Sequence, residues 1–153
     1  MDYVKYIRNL VGKSAVNITG VNVIIFNENH EILLQKRGEY PTGKWGLIGG
    51  IVELGESLED AAVREAKEET NLDIKDLKLF GTTSGKEAYM QFPNGDETYF
   101  ISIGFCTHNF SGQMQIDGRE TLDLKFYSYD CLPENLPKTH REMIDKFIDF
   151  MKN

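Results

Sequence analysis

With 153 residues, 41% of them hydrophobic and spread along its whole length, the chain can bury a core without disulfides or a structural metal, which excludes a disordered or low-complexity protein. Its 17 basic and 24 acidic residues leave a formal charge of -7, which opposes binding to a nucleic-acid polymer, because that binding runs on Lys and Arg neutralising phosphates. Cys106 and Cys131 are too few for a disulfide framework and lack C-x-x-C spacing, so both are expected to be reduced and structural. No apolar run approaches the roughly 18 residues of a membrane span, and no basic stretch leads into an apolar one at the N-terminus, so no membrane association and a cytoplasmic location are expected.

In chain order, Val4, Ile7, Leu10 and Val11 stand at helical spacing and predict a short helix over residues 4–11, stopped by Gly12. The β-branched run around Val21, Val23, Ile24 and Ile25 predicts a strand over 16–26. A turn at Asn27-Glu28-Asn29-His30 then joins it to a second strand over 31–37, read together as a hairpin. Ser57 to Thr70 is the clearest helix, with Ser57 as N-cap, Asp60 three residues on, and Asn71 suited to a left-handed end. Strands follow at 75–83, 98–107 and 122–129, with Pro93-Asn94-Gly95-Asp96 as a hairpin turn. Thr139 and Glu142 read as a capping box before a stripe of Met143, Ile144, Phe147, Ile148 and Met151 on a C-terminal helix. The sheet is therefore mixed. No repeat or linker interrupts the pattern, and residues 1–153 read as one domain.

On the central helix, Glu65, Glu68 and Glu69 stand at i, i+3 and i+4, so their carboxylates share one stripe about 100° wide. Leu58, Ala62, Val63, Ala66 and Thr70 occupy the neighbouring arc, while Asp60, Arg64 and Lys67 fall opposite. Ala61, one turn before Glu65, is expected to leave space above the cluster. Like charges at these spacings destabilise a helix by a few tenths of a kcal/mol per pair unless a cation is shared between them. Oxygen-only ligands favour magnesium or manganese over zinc. Taken alone, such a stripe is more often a solvated acidic face.

The segment before the helix changes that balance. Trp45-Gly46-Leu47-Ile48-Gly49-Gly50 ends in a glycine pair that permits close backbone approach and leaves a carbonyl free to face a ligand. After Gly50 come five residues, Glu56, seven more, then Arg64-Glu65-Ala66-Lys67-Glu68-Glu69, with Leu72 three positions on. This spacing resembles the signature of the Nudix hydrolases, G-x5-E-x7-R-E-U-x-E-E-x-G-U, where U is aliphatic. Two positions depart from it. Asn71 replaces the family's glycine and tolerates the same left-handed backbone, and Ile48 replaces the usual proline without removing a chemical group.

The resemblance implies an α/β fold with a mixed sheet sandwiched between helices. It also implies a pyrophosphohydrolase that cuts a diphosphate linkage in a nucleoside diphosphate derivative, with magnesium as cofactor and manganese as substitute. Glu56 and Arg64 become the structural pair that pins the loop. Glu65, Glu68, Glu69 and the Gly50 carbonyl become metal ligands, with Glu53 as a water-mediated addition. Glu65 or Glu68 is the first choice of general base, with Glu120 on a late loop as the alternative against an ordinary exposed loop acid, and Asp123 weaker because it lies within a predicted strand. Arg37 corresponds to a phosphate-contacting arginine of many relatives, and its planar fork suits that task. Tyr99, with Tyr89 and Phe92, is a candidate aromatic face for a base, although such residues in strands are more often core. Trp45 is expected to pack beside the box. His30, His108 and His140 show no ligand spacing and read as surface or packing residues. The alternative is a Nudix-fold module that binds a nucleotide without cutting it. Homodimerisation is left open, and the box does not choose among nucleoside triphosphates, nucleotide sugars, ADP-ribose and dinucleoside polyphosphates.

Overall fold

A computed structural model describes residues 2–153. Helix α1 (Tyr3–Val11) is capped by Asp2, whose carboxylate accepts from the Lys5 amide at 3.1 Å, and it ends at Gly12 with φ of 66°. Then follow β1 (Val16–Ile25), β2 (Ile32–Arg37), β3 (Trp45–Ile51), α2 (Leu58–Thr70), β4 (Asp73–Lys75), β5 (Lys78–Thr83), β6 (Tyr89–Gln91), β7 (Glu97–Thr107), β8 (Asn109–Ser111), β9 (Thr121–Tyr127) and α3 (Lys138–Lys152). The main sheet runs β5-β7-β1-β3-β2-β9, with β6 also on β7, while β4 and β8 form a separate pair. Only β1 and β7 run parallel, so the sheet is mixed as the sequence implies.

Strand alternation divides the apolar residues between two cores. Val21, Val23, Ile25, Leu33, Ile48 and Phe105 face α2, which meets them with Ala61, Ala62 and Ala66. Ile24, Ile32, Leu34, Leu47 and Cys106 face the other way, against Met143, Ile144 and Phe147 of α3. The sheet is thus covered on both sides, the α/β sandwich expected from the family resemblance.

Several local expectations are corrected. β1 and β2 do not form a hairpin ladder: β3 lies between them, and among the described residues the pairing is limited to an isolated bridge from Phe26, just past β1, to Ile32. Because β1 is apolar on both faces, it is a central strand that needs a partner on each edge, and β3 and β7 take those places. The predicted strand over 75–83 breaks at Asp76, whose φ is 56°, into β4 and β5. The turn at 93–96 joins β7 to β6, a short strand that the sequence reading did not separate. Thr139 is no cap: it lies inside α3, whose N-cap Pro137 offers no side-chain acceptor, and Glu142 pairs with Lys146 at 3.6 Å. Ala61 opens no space above the carboxylates; it is fully buried, and its small side chain lets α2 approach the sheet. Val63, placed with the inward arc, is 40% exposed.

Candidate catalytic cleft

Between β3 and α2 the chain makes a loop that Arg64 holds from below. Arg64 Nε and Nη2 donate to Glu56 Oε2 and Oε1 at 2.7 and 2.9 Å, and Nη2 also reaches the Ile51 carbonyl at 3.0 Å. Its Nη1 donates to Glu65 at 2.8 Å and lies 3.3 Å from Glu68. Glu56 in turn accepts from the Glu53 amide at 3.0 Å. The hydrogen bonds from Arg64 hold the Glu56 carboxyl below the usual carboxylate range, and Glu56 in return raises the pKa of the guanidinium. The helical wheel sets Arg64 opposite the glutamates, but a wheel locates Cα atoms; the long side chain folds back to reach two of them. The helix itself is fixed by Ser57, which accepts from the Asp60 amide at 3.1 Å, and by Asn71 with φ of 66°.

Glu69 points beneath the glycine pair. Its Oε1 accepts from the Gly49 amide at 2.8 Å and its Oε2 from Gln35 Nε2 at 2.7 Å. Gln35 also donates to the Leu47 carbonyl at 3.3 Å and accepts from the Thr121 hydroxyl at 2.8 Å, so every polar group of that buried amide is engaged. Glu65 lies against the bare Cα of Gly50, where an added Cβ would run into its carboxylate. Burial pushes Glu65 up to about 7 and Glu69 up to about 8, with the charges of Glu68 and Glu56 adding to the first shift and that of Glu65 to the second. Glu68, by contrast, is 54% exposed.

These carboxylates open into a cleft of about 340 Å3 lined by Gly49, Gly50, Glu65, Glu69, Arg37 and Glu120, with Tyr40, Met90, Phe92 and Phe100 as its less polar wall. A larger cavity of about 810 Å3, bounded by Phe26, His108, Phe110 and Phe150, contains no residue of the glutamate helix or the glycine pair. Of the residues singled out from the sequence, Arg37, Gly50, Glu65, Glu69 and Glu120 meet in the smaller cleft. Glu68 is not among the lining residues and is half exposed beside Arg64, and Glu56 and Arg64 hold the loop. Tyr99 is a correction: alternation along β7 sends Phe100 and Ser102 into the cleft and Tyr99 away from it, with its ring 5.2 Å from Tyr89. Phe92 and Phe100 stand with ring centroids 6.4 Å apart, and Tyr40 is 5.7 Å from Phe92. Glu53 accepts from the Tyr3 amide at 2.8 Å, which ties α1 to the loop.

Glu120 rides on a turn organised by Asp117, whose Oδ1 accepts from the amides of Arg119, Glu120 and Thr121 at 2.9, 3.0 and 3.1 Å. Burial raises the pKa of Glu120, and nearby Glu39, Asp117 and Glu68 add to it. One cleft residue, His140, and one buried residue behind Glu69, Gln35, were not functional candidates from the sequence. Gln35 had a signal, being the polar residue after Ile32-Leu33-Leu34. His140 had none, because its role depends on α3 docking beside β3.

His140 Nδ1 accepts from the Leu47 amide at 3.0 Å, and burial pushes its pKa down to about 4 from the ordinary 6.5, with the Arg37 charge adding to the effect. The unfolded chain takes up this proton near pH 6.5, whereas the folded protein waits until about 4. Stability due to this group is therefore present above pH 6.5 and lost as pH falls through that window, by up to about 1.4 kcal/mol per pH unit. Glu65 and Glu69 act with the opposite sign, so the observable is a difference: His140→Leu flattens the loss between pH 6.5 and 4.5 relative to wild type, as read by urea midpoints.

Among the described residues no three acidic, histidine or cysteine side chains are gathered closely enough to form a ready-made metal cage. The donors present nevertheless suit a hard divalent cation. They are oxygen atoms only, and the desolvation that raises the proton affinity of Glu65 and Glu69 equally favours a bound cation.

Buried carboxylates, an arginine and aromatic rings thus line one cleft. The NUDIX domain family model matches residues 16–147, and the chain belongs to the Nudix hydrolases, a family of pyrophosphohydrolases that generally use divalent metal. A Bacillus subtilis (strain 168) protein named "Putative 8-oxo-dGTP diphosphatase" is 37% identical over 128 residues, covering 84% of this chain and 78% of that one. The NAD-capped RNA hydrolase NudC of Haemophilus influenzae (strain PittGG) is 34% identical over 76% of this chain, which spans 42% of NudC's length. The crystal structure of the MutT protein from Methanosarcina mazei Go1 superposes with a TM-score of 0.76 at 26% identity, over 92% of this chain and 99% of that one. No helix among the described residues is long and apolar enough to cross a membrane.

Proposed function

We propose that this chain hydrolyses a diphosphate linkage in a nucleoside diphosphate derivative with magnesium, or manganese in its place, as cofactor. The observation that carries this reading is the burial of Glu65 and Glu69 in one cleft against Gly49 and Gly50. Glu65, Glu69 and the Gly50 carbonyl would hold the ion, with the half-exposed Glu68 joining them; Gly20 helps by leaving the Gly50 oxygen uncovered, since a Cβ there would sit 3.1 Å from it. When bound, the ion neutralises diphosphate oxygens and lowers the pKa of an attacking water.

The chain's own residues do the rest. Arg37 and the first turn of α3, which line the same cleft as the carboxylates, receive the diphosphate, and Tyr40, Phe92 and Phe100 flank the nucleoside. Glu120 takes the proton of the attacking water. It lines the cleft, slight desolvation and the neighbouring charges of Glu39, Asp117 and Glu68 raise its proton affinity, and it is not tied to Arg64 as Glu65 is. The water oxygen bonds to one phosphorus, the bridging P–O bond breaks, and the bridging oxygen leaves with the second phosphorylated product. Arg64 and Glu56 hold the loop in place. The charge of -7 favours a small nucleotide over a polymer, and a cytoplasmic setting supplies such substrates.

The test is a panel of nucleoside triphosphates, including 8-oxo-dGTP from the Bacillus relative's name, together with nucleotide sugars, ADP-ribose and dinucleoside polyphosphates. Each is incubated with protein and magnesium or manganese, and the products are identified. Release of a nucleoside monophosphate with a second phosphorylated product is expected from at least one member. A panel in which nothing is cut rejects the reading.

A further inference from the structure

Arg37, the last residue of β2, and His140, in the first turn of α3, both line the cleft and pack over the bare Cα of Gly46. A Cβ added at Gly46 would sit 3.0 Å from His140 Cε1 and Nδ1 and 3.9 Å from Arg37 Cδ, so the two side chains lie side by side there. Each has an unused donor. Arg37 Nη2 donates to the Tyr40 carbonyl at 3.2 Å, but its Nε is buried without a partner. His140 Nδ1 accepts the Leu47 amide proton, so the ring must carry its own proton on Nε2, and no described residue accepts from that atom. A buried guanidinium N–H without an acceptor is costly in a folded chain, and it asks for a group that the protein itself does not supply. The first turn of α3 beside them has no side-chain cap and no acidic residue, so its amides add to a field that favours an anion.

We propose that Arg37 and His140 form a paired donor subsite for phosphoryl oxygens of the substrate, with the neutral imidazole giving its Nε2–H beside the guanidinium. The inference rests on the diphosphate reading above and extends it by naming a second, uncharged donor. Neutrality is what lets the pair exist: an imidazolium would place like charge against Arg37 and break the bond from Leu47. Burial and the Arg37 charge keep the ring neutral to about pH 4. Leu47 and Gly46 therefore orient the histidine, and α3 delivers it. The pair lines the same cleft as Glu65 and Glu69, so a diphosphate bound there meets both the paired donors and the cation ligands.

The subsite is read by binding, without turnover. With ADP and magnesium as probe, calorimetry on His140→Leu is expected to give affinity about tenfold weaker than wild type, the loss of one hydrogen bond to a charged acceptor. His140→Gln is expected to recover most of it, because its Oε1 can accept from Leu47 while its amide donates. Adenosine alone should bind all three proteins equally. On any substrate cut in the panel, His140→Leu raises KM more than it lowers kcat. In the wild-type protein near neutral pH, nitrogen NMR should show the Nε2–H tautomer, with a signal that moves when ADP is added. The proposal is overturned by a wild type that binds no ADP, by unchanged ADP affinity in His140→Leu, or by a Gln variant as weak as the Leu variant. It is also overturned by equal weakening towards adenosine, which would move the contact to the nucleoside, or by the Nδ1–H tautomer. A panel in which nothing is cut, with ADP binding as described, would instead reject the hydrolase reading and leave the subsite standing.

Discussion

Glu69→Gln is expected to lower kcat by about a thousandfold while the protein stays folded. The carboxylate accepts from the Gly49 amide and from Gln35, and both donors are fixed by the sheet. A glutamine there must set an NH2 against one of those donors, and it removes one negative charge from the group that would hold the cation. A thousandfold is about 4 kcal/mol of barrier, within the several kcal/mol that a correctly held ion supplies. Stability should change by about 1 kcal/mol or less, because removing a desolvated charge offsets the lost hydrogen bond. The measurement is kcat at saturating magnesium alongside a urea melt. A variant within tenfold of wild type contradicts the assignment. Chelation of divalent ions should abolish wild-type turnover and restore it on adding magnesium back.

Arg64→Met is expected to cost about 3 kcal/mol of stability and most of the activity. The guanidinium serves Glu56, Glu65 and the Ile51 carbonyl at once, and removing it strands two carboxylates that are only 16% and 12% exposed. Losing one partner of a buried ion pair costs about 3–5 kcal/mol; the 29% exposure of Arg64 argues for the lower end. For a chain of this size that corresponds to a fall in Tm of about 8 °C. Arg64→Lys should rescue little, because one ammonium does not reproduce the bidentate fork to Glu56 together with the bond to Ile51. A melt shifted by less than about 1 kcal/mol would show that the loop is held by other means.

The parts of the fold that were legible in the sequence are those written in local spacing. Ser57, the glutamate stripe and Asn71 bound α2 within one residue, because caps and helical periodicity are read along a single segment. The fixed spacing from Gly50 to Leu72 carried the family. What escaped depends on contacts between segments. The run from Val21 to Ile25 shows a buried strand, but which strands flank it is set by the path of the whole sheet, so the expected hairpin gave way to an inserted β3. The aromatic residues of β7 were noticed, yet only its register with β1 and β6 decides that Phe100 and not Tyr99 faces the cleft. Arg64 illustrates the limit of a helical wheel, since its head group ends where its Cα direction does not point. Gln35 and His140 are polar groups whose purpose appears only when α2 and α3 close on opposite faces of the sheet.

The central step is attack of water on phosphorus in the cleft of Glu65 and Glu69, with a divalent ion present. The direct measurement is turnover of the best panel substrate in oxygen-18 water with magnesium, followed by mass spectrometry of both products, for wild type and Glu69→Gln. We expect wild type to place one label on a single phosphorylated product, with no reaction without divalent ion and a rate about a thousandfold lower in the variant. Products without label, or a variant that incorporates label as fast as wild type, would contradict the account.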